Sequence, residues 1–405
     1  MSESVDALVI GAGPAGLMAA EALAAPGRRV VVAEAMPTPA RKFLMAGKSG
    51  LNLTKAEPQD AFARRFTCGG GARLPDDSIA FGPAEVMAWA EGLGIDLFTG
   101  STGRVFPVGM KASPLLRAWL ARLRAGGVEI RTRWRWIGGG WRFDTPQGRR
   151  DIAPSVTVLA LGGASWPRLG SDGAWVPWLA AAGVPVAPFR PANMGFRVTW
   201  SPAMARHFGS PVKGTALHVG EHVSRGEWII GRQGIEGGGV YEVSAPLRDG
   251  AAGRVDLAPD RDRAALTARF ARPRGRLSLG NWLRRVLDDP VKVALLLEWG
   301  RPYPGDPEAW AGLAKALPVR HDGPMGLDTA ISSAGGIRWD SLTGDQELRA
   351  MPGTYAAGEM LDWEAPTGGY LLTACLGSGL RAGQAAAARL VALTQRLGDV
   401  RHPPG

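Results

Sequence analysis

The turn Gly11-Ala-Gly13-Pro-Ala-Gly16 constrains this chain more than any other stretch of it. The apolar run Val5–Ile10 precedes it, and a helical apolar pattern through Leu17, Ala20 and Leu23 follows. Arg29–Glu34 then reads as a second buried strand that ends on an acid. Strand, glycine turn, helix and strand together make the βαβ unit of a doubly wound sheet. Gly11 permits the tight turn, Gly13 lets the backbone approach a pyrophosphate, and Gly16 lets the helix lie close to the sheet. The start of the helix offers unpaired N–H groups and the positive end of its dipole to phosphates. Glu34 is placed to accept hydrogen bonds from ribose hydroxyls, and its carboxylate repels a 2′-phosphate.

Two later segments bear on which dinucleotide this is. Val156–Leu161 is strand-like and is closed by Gly162-Gly163. Near the C-terminal end, Gly353 to Glu359 gives a short apolar strand followed by glycine and an acid, and Pro366-Thr-Gly368-Gly369-Tyr370 opens a helical pattern from about Leu371 to Leu397. An NAD domain is ordinarily contiguous, whereas a chain that binds near one end and returns near the other follows the plan of two-segment FAD domains. The expected fold is therefore α/β, a discontinuous Rossmann-like FAD-binding domain with an inserted β-barrel-like and helical domain. The 405 residues are enough for both parts. The boundaries expected are 1–190 and 326–405 for the FAD domain, 191–258 for a β-rich insert and 259–325 for a helical cap. Alternation in GFRVTW, TALHVG, EWIIG and VYEVSA marks the former, and helical periodicity from 260 to 318 the latter.

The stretches VIGAGPAGLMAA, ARKFLMAGKSGLNLT (40–54), TGRVFPVGMKAS (102–113), VLALGGAS (158–165), SSAGGI (332–337) and YAAGEMLDWEAPTGGYLLTA (355–374) together carry a more specific likeness. On them the chain resembles the BaiN/RdsA-like, or YhiN-type, NAD(P)/FAD-dependent oxidoreductases. It departs from the family pattern at Gly47 to Asn52, where many relatives read closer to GGGRCN, and at GIEGGGVYEVS (234–244). Those departures imply a distinct subfamily.

The resemblance implies roles residue by residue. Gly11, Gly13, Pro14, Ala15 and Gly16 would hold the FAD pyrophosphate, Glu34 and Ala35 the adenosine ribose, and the backbone near Trp136 the adenine. Lys42 and Asn52 would lie along the ribityl-to-flavin stretch, with Gly162 bordering the cofactor. Gly358 and Glu359 would meet the ribityl or phosphate, and Gly369, Tyr370 and Leu371 the flavin edge. A helix starting near Gly369 would aim its positive end at the ring edge that carries charge when the flavin is reduced. The sequence names no proton donor, and Tyr370 and Cys375 are weak positional candidates for catalysis.

The resemblance implies a flavin enzyme that takes electrons from transiently bound NAD(P)H and reduces a polarised C=C bond, in a small enone or in a uridine of ribosomal RNA. Two other readings stand beside it. One is a flavin amine oxidase of the aminoacetone oxidase type, for which Asp362 and Glu364 would supply an acidic pocket. The other is an FAD-containing RNA- or partner-binding protein without catalysis. Charge bears on the RNA version: 47 Lys and Arg against 37 Asp and Glu leave a net charge of +10, with clusters at 104–150 and 261–301. Arg131, Arg133 and Arg135 are the candidate phosphate contacts, and Trp282 a candidate stacking surface.

Two cysteines, Cys68 and Cys375, make neither a disulfide framework nor a CxxC pair. His218 and His222 stand four apart but lack the adjacent His-Glu of a zincin and sit in a strand-like segment, where they lie too far apart for one zinc, so no metal site is expected. Without a targeting pattern or a run of about 20 apolar residues, a cytoplasmic protein with no membrane association is expected.

Overall fold

Val5, Ala7, Leu8, Val9 and Ile10 send side chains to both faces of their strand, and all are buried, as a central parallel strand requires. The structure, a computed structural model, describes residues 2–48, 50–75 and 77–401. The chain divides into two units, Met1–Arg190 with Ser332–Gly405, and Pro191–Ile331.

In the first unit, β1 (Glu3–Ile10) runs through the glycine turn into α1 (Pro14–Leu23) and returns as β2 (Val30–Glu34). β1 and β2 pair in parallel from Ala7 opposite Val30 to Ile10 opposite Ala33. Further along come α2 (Arg41–Ala46), α3 (Ala112–Ala125), β3 (Glu129–Thr132), β4 (Arg135–Trp136), β5 (Arg142–Thr145), β6 (Gly148–Leu159), β7 (Thr354–Ala356) and α4 (Tyr370–Arg401). The parallel sheet has the order β3, β2, β1, β6, β7, so the last strand from the C-terminal segment completes a sheet begun at the N-terminal one. β6 spans 12 residues, longer than the VTVLAL run suggests. Its first four residues pair antiparallel with β5, and β5 with β4, before Ile152 and its successors join β1 in parallel. The extra length comes from a polar, exposed hairpin that carries no apolar signal in the sequence.

α1 is buried on nearly every side because α4 covers the face turned away from the sheet. Small residues allow that approach. A Cβ added at Gly379 would stand 2.1 Å from the Ala15 carbonyl oxygen, and one at Gly383 would stand 2.6 Å from that of Ala19. The Gly377-Ser-Gly379 stretch is thus a helix-packing device.

The second unit has two four-stranded antiparallel sheets. One joins Phe196–Arg197, Gly234–Glu236, Trp228–Gly231 and Pro211–Val212, and the other joins His222–Ser224, Ala216–Val219, Gly253–Asp256 and Leu317–Pro318. Helices Arg263–Phe270, Leu279–Leu287, Pro290–Trp299 and Pro307–Lys315 follow, each capped by the preceding Asp262, Ser278, Asp289 or Asp306. The alternation in VYEVSA does not make a strand. After the Gly237–Gly239 run the chain forms short helices at Gly238–Tyr241 and Ser244–Arg248, and Val240, Val243 and Leu247 are buried at helical spacing. His218 and His222 fall on opposite strands of a hairpin. Among the described residues, no group of three or more His, Cys, Asp and Glu is placed to hold a metal, and no helix is long and apolar enough to cross a membrane.

Gly379→Val forces α4 away from α1 and should destabilise the protein by about 1–3 kcal/mol, the usual cost of overpacking. Urea denaturation measures this, and an unchanged midpoint would contradict the packing described.

Candidate active site

The glycine turn is tight for reasons its neighbours make explicit. Gly11 has φ +103°, and a Cβ there would stand 2.2 Å from the Ala160 carbonyl oxygen just beyond β6. A Cβ at Gly16 would stand 1.9 Å from the Gly11 carbonyl oxygen. Gly13 differs: nothing lies within 4 Å of the place its Cβ would take, and it borders a cleft of about 1000 Å³. A side chain there would fill the cradle. α1 begins from Gly13 with Pro14 in its first turn, no side-chain cap and no acid, so no side chain competes for its leading N–H groups.

Glu34, ending β2, accepts hydrogen bonds from the Ala12 N–H and the Met36 N–H, both at 2.8 Å, and so ties the glycine turn to the next strand. Burial pushes its carboxyl above the ordinary range, against those two bonds. Beside it the cleft is walled by aromatic rings. Trp136 is buried, meets Trp178 edge-on at 4.9 Å, and donates from Nε1 to the Gly140 carbonyl at 2.7 Å. The Ser171 hydroxyl in the same wall is buried and unpartnered. An orphaned buried donor beside an acid and a bare helix start is what a nucleotide's sugar and phosphates would satisfy.

At the other end, four separate motif stretches meet in one hydrogen-bonded cluster. Lys42 Nζ donates to Ser165 Oγ at 2.6 Å and pairs with the Glu359 carboxylate. Glu359 Oε1 accepts from the Ser333 N–H at 3.1 Å, and Ser333 Oγ accepts from the Ala164 N–H at 3.1 Å. Cys375 lies alongside, half-buried, and also lines the cleft. Burial, with Glu359 nearby, pushes its thiol up to about 12, so the thiolate is not populated at neutral pH.

Of the residues expected at the cofactor, Gly11, Gly13, Pro14, Ala15, Glu34, Ala35, Lys42, Trp136, Gly162, Gly358 and Glu359 line the cleft, as does Cys375. Gly16, Asn52, Gly369, Tyr370 and Leu371 do not belong to that lining. Asn52 has a buried amide oxygen without a partner. A Cβ at Gly369 would stand 2.5 Å from the Thr54 Cα, so the start of α4 rests directly on that backbone. The Tyr370 hydroxyl donates to Glu57 Oε1 at 2.7 Å and accepts from Lys55 Nζ at 3.1 Å, while its ring stacks on Phe62 at 4.7 Å. A phenol whose proton is held by a carboxylate is a poor proton donor to a substrate. Sequence reasoning missed Trp134, Trp178 and Ser171. The tryptophans at 134, 136, 175 and 178 give a clustered aromatic signal, whereas Ser171 gives none.

A second cavity in the same unit, of about 610 Å³, is lined by Cys68, Arg190, Gly335, Asp362 and Glu364 among others. Burial raises the Asp362 carboxyl, and Glu364 adds to this, while the Gly69 N–H and Arg190 oppose it. The candidate RNA contacts fare differently. Arg131 makes a two-pronged contact with Glu3, at 2.6 and 2.7 Å, and also pairs with Glu129, and Arg135 pairs with Asp172 at 3.2 Å. Arg131 is thereby neutralised rather than presented to phosphates. Trp282 is a core residue, packed on Phe270 and Trp310, and offers no stacking face.

The family model described as HI0933-like protein Rossmann domain matches residues 5–385. The chain is 28% identical over 424 residues to a 3-dehydro-bile acid delta(4,6)-reductase of Clostridium scindens, covering 94% of this chain and 98% of that protein. It is 24% identical over 390 residues to a ribosomal RNA dihydrouridine synthase of Escherichia coli, covering 91% and 94%. Among solved structures, the open conformation of a flavocytochrome c3 fumarate reductase superposes with a TM-score of 0.52 at 16% identity, covering 96% of this chain and 79% of that one. The Escherichia coli quinol fumarate reductase FrdA gives 0.51 at 18%, covering 98% and 75%. These two likenesses show a shared fold.

A carboxyl raised in the folded chain stabilises it while protonated and loses that contribution as pH climbs through the raised value. Asp362→Asn should therefore have a higher thermal midpoint than the wild type at about pH 8, with the gain vanishing near about pH 4. A variant equally destabilised at both values would show that the side chain acts through packing instead.

Proposed function

The chain belongs to the HI0933-like family, a family of FAD-dependent oxidoreductases, and from that premise we propose that it reduces a C=C bond conjugated to a carbonyl, with NADH or NADPH as electron donor. The observation that carries the cofactor reading is the cleft itself: a bare helix start, an acid at the end of β2, an orphaned hydroxyl and, beyond them, a lysine held by a carboxylate. These residues fit FAD. The N–H groups at the start of α1 would hold the pyrophosphate, Glu34 the ribose, and the wall at Trp134 and Trp136 the adenine. Lys42, Gly162, Gly358 and Glu359, which line the cleft, would border the ribityl and flavin, and Asn52, Gly369, Tyr370 and Leu371, which stand outside that lining, would meet the ring only where it extends past the cleft.

When bound, FAD supplies hydride transfer between a nicotinamide and an electron-poor carbon. The chain's own residues position and insulate. Lys42 is fixed by Ser165 and Glu359, so its ammonium is oriented and its charge is balanced. Cys375 contributes a neutral wall. The reaction type is supported by what the names of the two curated relatives share: a delta(4,6)-reductase acting on a 3-dehydro bile acid and a dihydrouridine synthase both saturate a C=C bond in conjugation with a carbonyl. Amine oxidation is the second reading and rests on the Asp362 and Glu364 cavity. Arg190 shares that cavity and its guanidinium repels a second cation, so the cavity suits a cationic amine less well.

Anaerobic mixing with NADH or NADPH should bleach the flavin band of the holoprotein, and no bleaching by either nucleotide would overturn the donor assignment. Glu34→Ala leaves the Ala12 and Met36 N–H groups unpartnered and removes the ribose acceptor. It should weaken FAD binding about tenfold to a hundredfold, or roughly 1.4–2.8 kcal/mol, with partial recovery in Glu34→Gln. Fluorescence titration of apoprotein with FAD measures this.

A further inference from the structure

Two cavities of the first unit are bordered by one stretch of chain. Gly358 and Glu359 line the cofactor cleft, and Asp362, Trp363 and Glu364 line the second cavity, of about 610 Å³. The strand Ser332–Ile337 links them again. The Ser333 N–H donates to Glu359, and the next two residues, Ala334 and Gly335, border the second cavity. A Cβ at Gly336 would stand 2.4 Å from the Met360 carbonyl oxygen, so strand and turn are in direct backbone contact.

Asp362 is the unsettled group in this arrangement. It is 6% exposed, and among the described residues its side chain accepts a single long hydrogen bond, from the Gly69 N–H to Oδ1 at 3.4 Å, while Oδ2 accepts none. Its backbone is fixed. The Asp362 N–H donates to the Ile337 carbonyl at 2.9 Å, its carbonyl accepts from Trp339 Nε1 at 2.7 Å, and Glu364 exchanges two backbone hydrogen bonds with Thr67 at 2.8 and 3.0 Å. A buried carboxyl oxygen left unused on a rigid backbone is costly unless it carries a proton or meets a ligand. The charges around it select that ligand. Arg190 opposes a cation and the Asp362 and Glu364 carboxyls oppose an anion, so the cavity fits an uncharged group with an acceptor oxygen. Ala187, Pro188, Ala334 and Trp363 supply an apolar wall for the hydrocarbon that carries it.

We propose that the second cavity receives the carbonyl end of the substrate and that Asp362 is the acid that protonates it. The inference rests on the reading that the chain reduces a C=C bond conjugated to a carbonyl. As a hydride drawn from NADH or NADPH adds to the β-carbon, the π pair moves to the carbonyl oxygen, and Asp362 gives its proton to that oxygen. The enol then takes a proton from water at the α-carbon and loses its O–H proton to water. The Asp362 carboxylate recovers a proton from solvent, so the sum is one hydride and one proton added. Burial, with Glu364, raises the Asp362 carboxyl toward this role, while the Gly69 N–H, Arg190 and Arg338 act against them. The Cys68 thiol in the same cavity is itself raised by burial and by Asp362, and adds no charge at neutral pH.

Anaerobic stopped-flow of the FAD-loaded protein, with cyclohex-2-enone as the acceptor, separates the two half-reactions. In Asp362→Asn, bleaching of the flavin band by NADH or NADPH should keep its wild-type rate, whereas reoxidation by the enone should slow about a hundredfold or more. Equilibrium dialysis of the enone against the oxidised protein, where no turnover occurs, should show little change in Kd, because the Asn amide still donates to a carbonyl oxygen. Wild-type reoxidation should slow as pH climbs through the raised Asp362 value, since only the protonated acid donates, and Asp362→Asn should lack that fall. Asp362→Glu, which keeps a proton, should recover part of the rate. A thermal midpoint no lower than the wild-type one shows that the Asn variant folds. An Asn variant reoxidised as fast as wild type overturns the assignment and leaves the reductase reading intact. So does one slowed equally in both half-reactions, or one whose loss lies only in enone binding. Wild-type protein whose reduced flavin does not react with the enone removes the reductase reading, and the assignment with it.

Discussion

Backbone-to-backbone approach at one turn organises the first unit. Gly16 lies against the Gly11 carbonyl, Gly11 lies against the Ala160 carbonyl, and Gly379 and Gly383 bring α4 onto α1 at Ala15 and Ala19. These contacts leave no room for a single methyl group, so β1, α1, β6 and α4 are locked at separations that only glycine permits. The same closeness has a chemical result. It draws the N-terminal glycine turn, the end of β6 and the C-terminal Gly358-Glu359 turn to one edge of the sheet, where parallel strands deliver their loops and where ligands of open α/β sheets bind.

What is built at that edge is mostly charge management. Glu34 is spent partly on holding Ala12 and Met36, which fixes the turn, and burial makes its ionised form sensitive to the hydrogen bonds a sugar would add. Lys42 and Glu359 come from opposite ends of the chain and cancel in a part-buried pair, with Ser165 and Ser333 completing the network. Breaking such a pair strands a charge, which is costly in low dielectric. The cluster therefore fastens the two chain segments together and also sets the electrostatics where a flavin would lie.

Much of this was legible in the sequence because it depends on local rules. A strand, a glycine turn and an acid at the end of the next strand each need only a few neighbouring residues, and β1, α1, β2 and Glu34 stand where those rules put them. The start of α4 at Tyr370 follows from the two glycines before it. Legibility failed where a residue's role is decided by a distant partner. Arg131 looks like a phosphate contact until Glu3 takes both of its prongs, and Tyr370 looks like a proton donor until Lys55 and Glu57 occupy its hydroxyl. The segment VYEVSA alternates like a strand yet buries Val240, Val243 and Leu247 on one helical face, because two periods fit so short a stretch. Ser171 carries no sequence signal, since only the fold places its hydroxyl, buried and unpaired, in the wall of the cleft.

In the proposed reaction, electrons leave this protein for a carbon–carbon double bond conjugated to a carbonyl. Its most direct test is to reduce the FAD-loaded protein photochemically without oxygen and then add a conjugated enone or a uridine-containing RNA. The oxidised flavin band should return in step with one equivalent of saturated product per flavin. A reduced flavin that is reoxidised only on admitting oxygen, with neither compound altered, would contradict it.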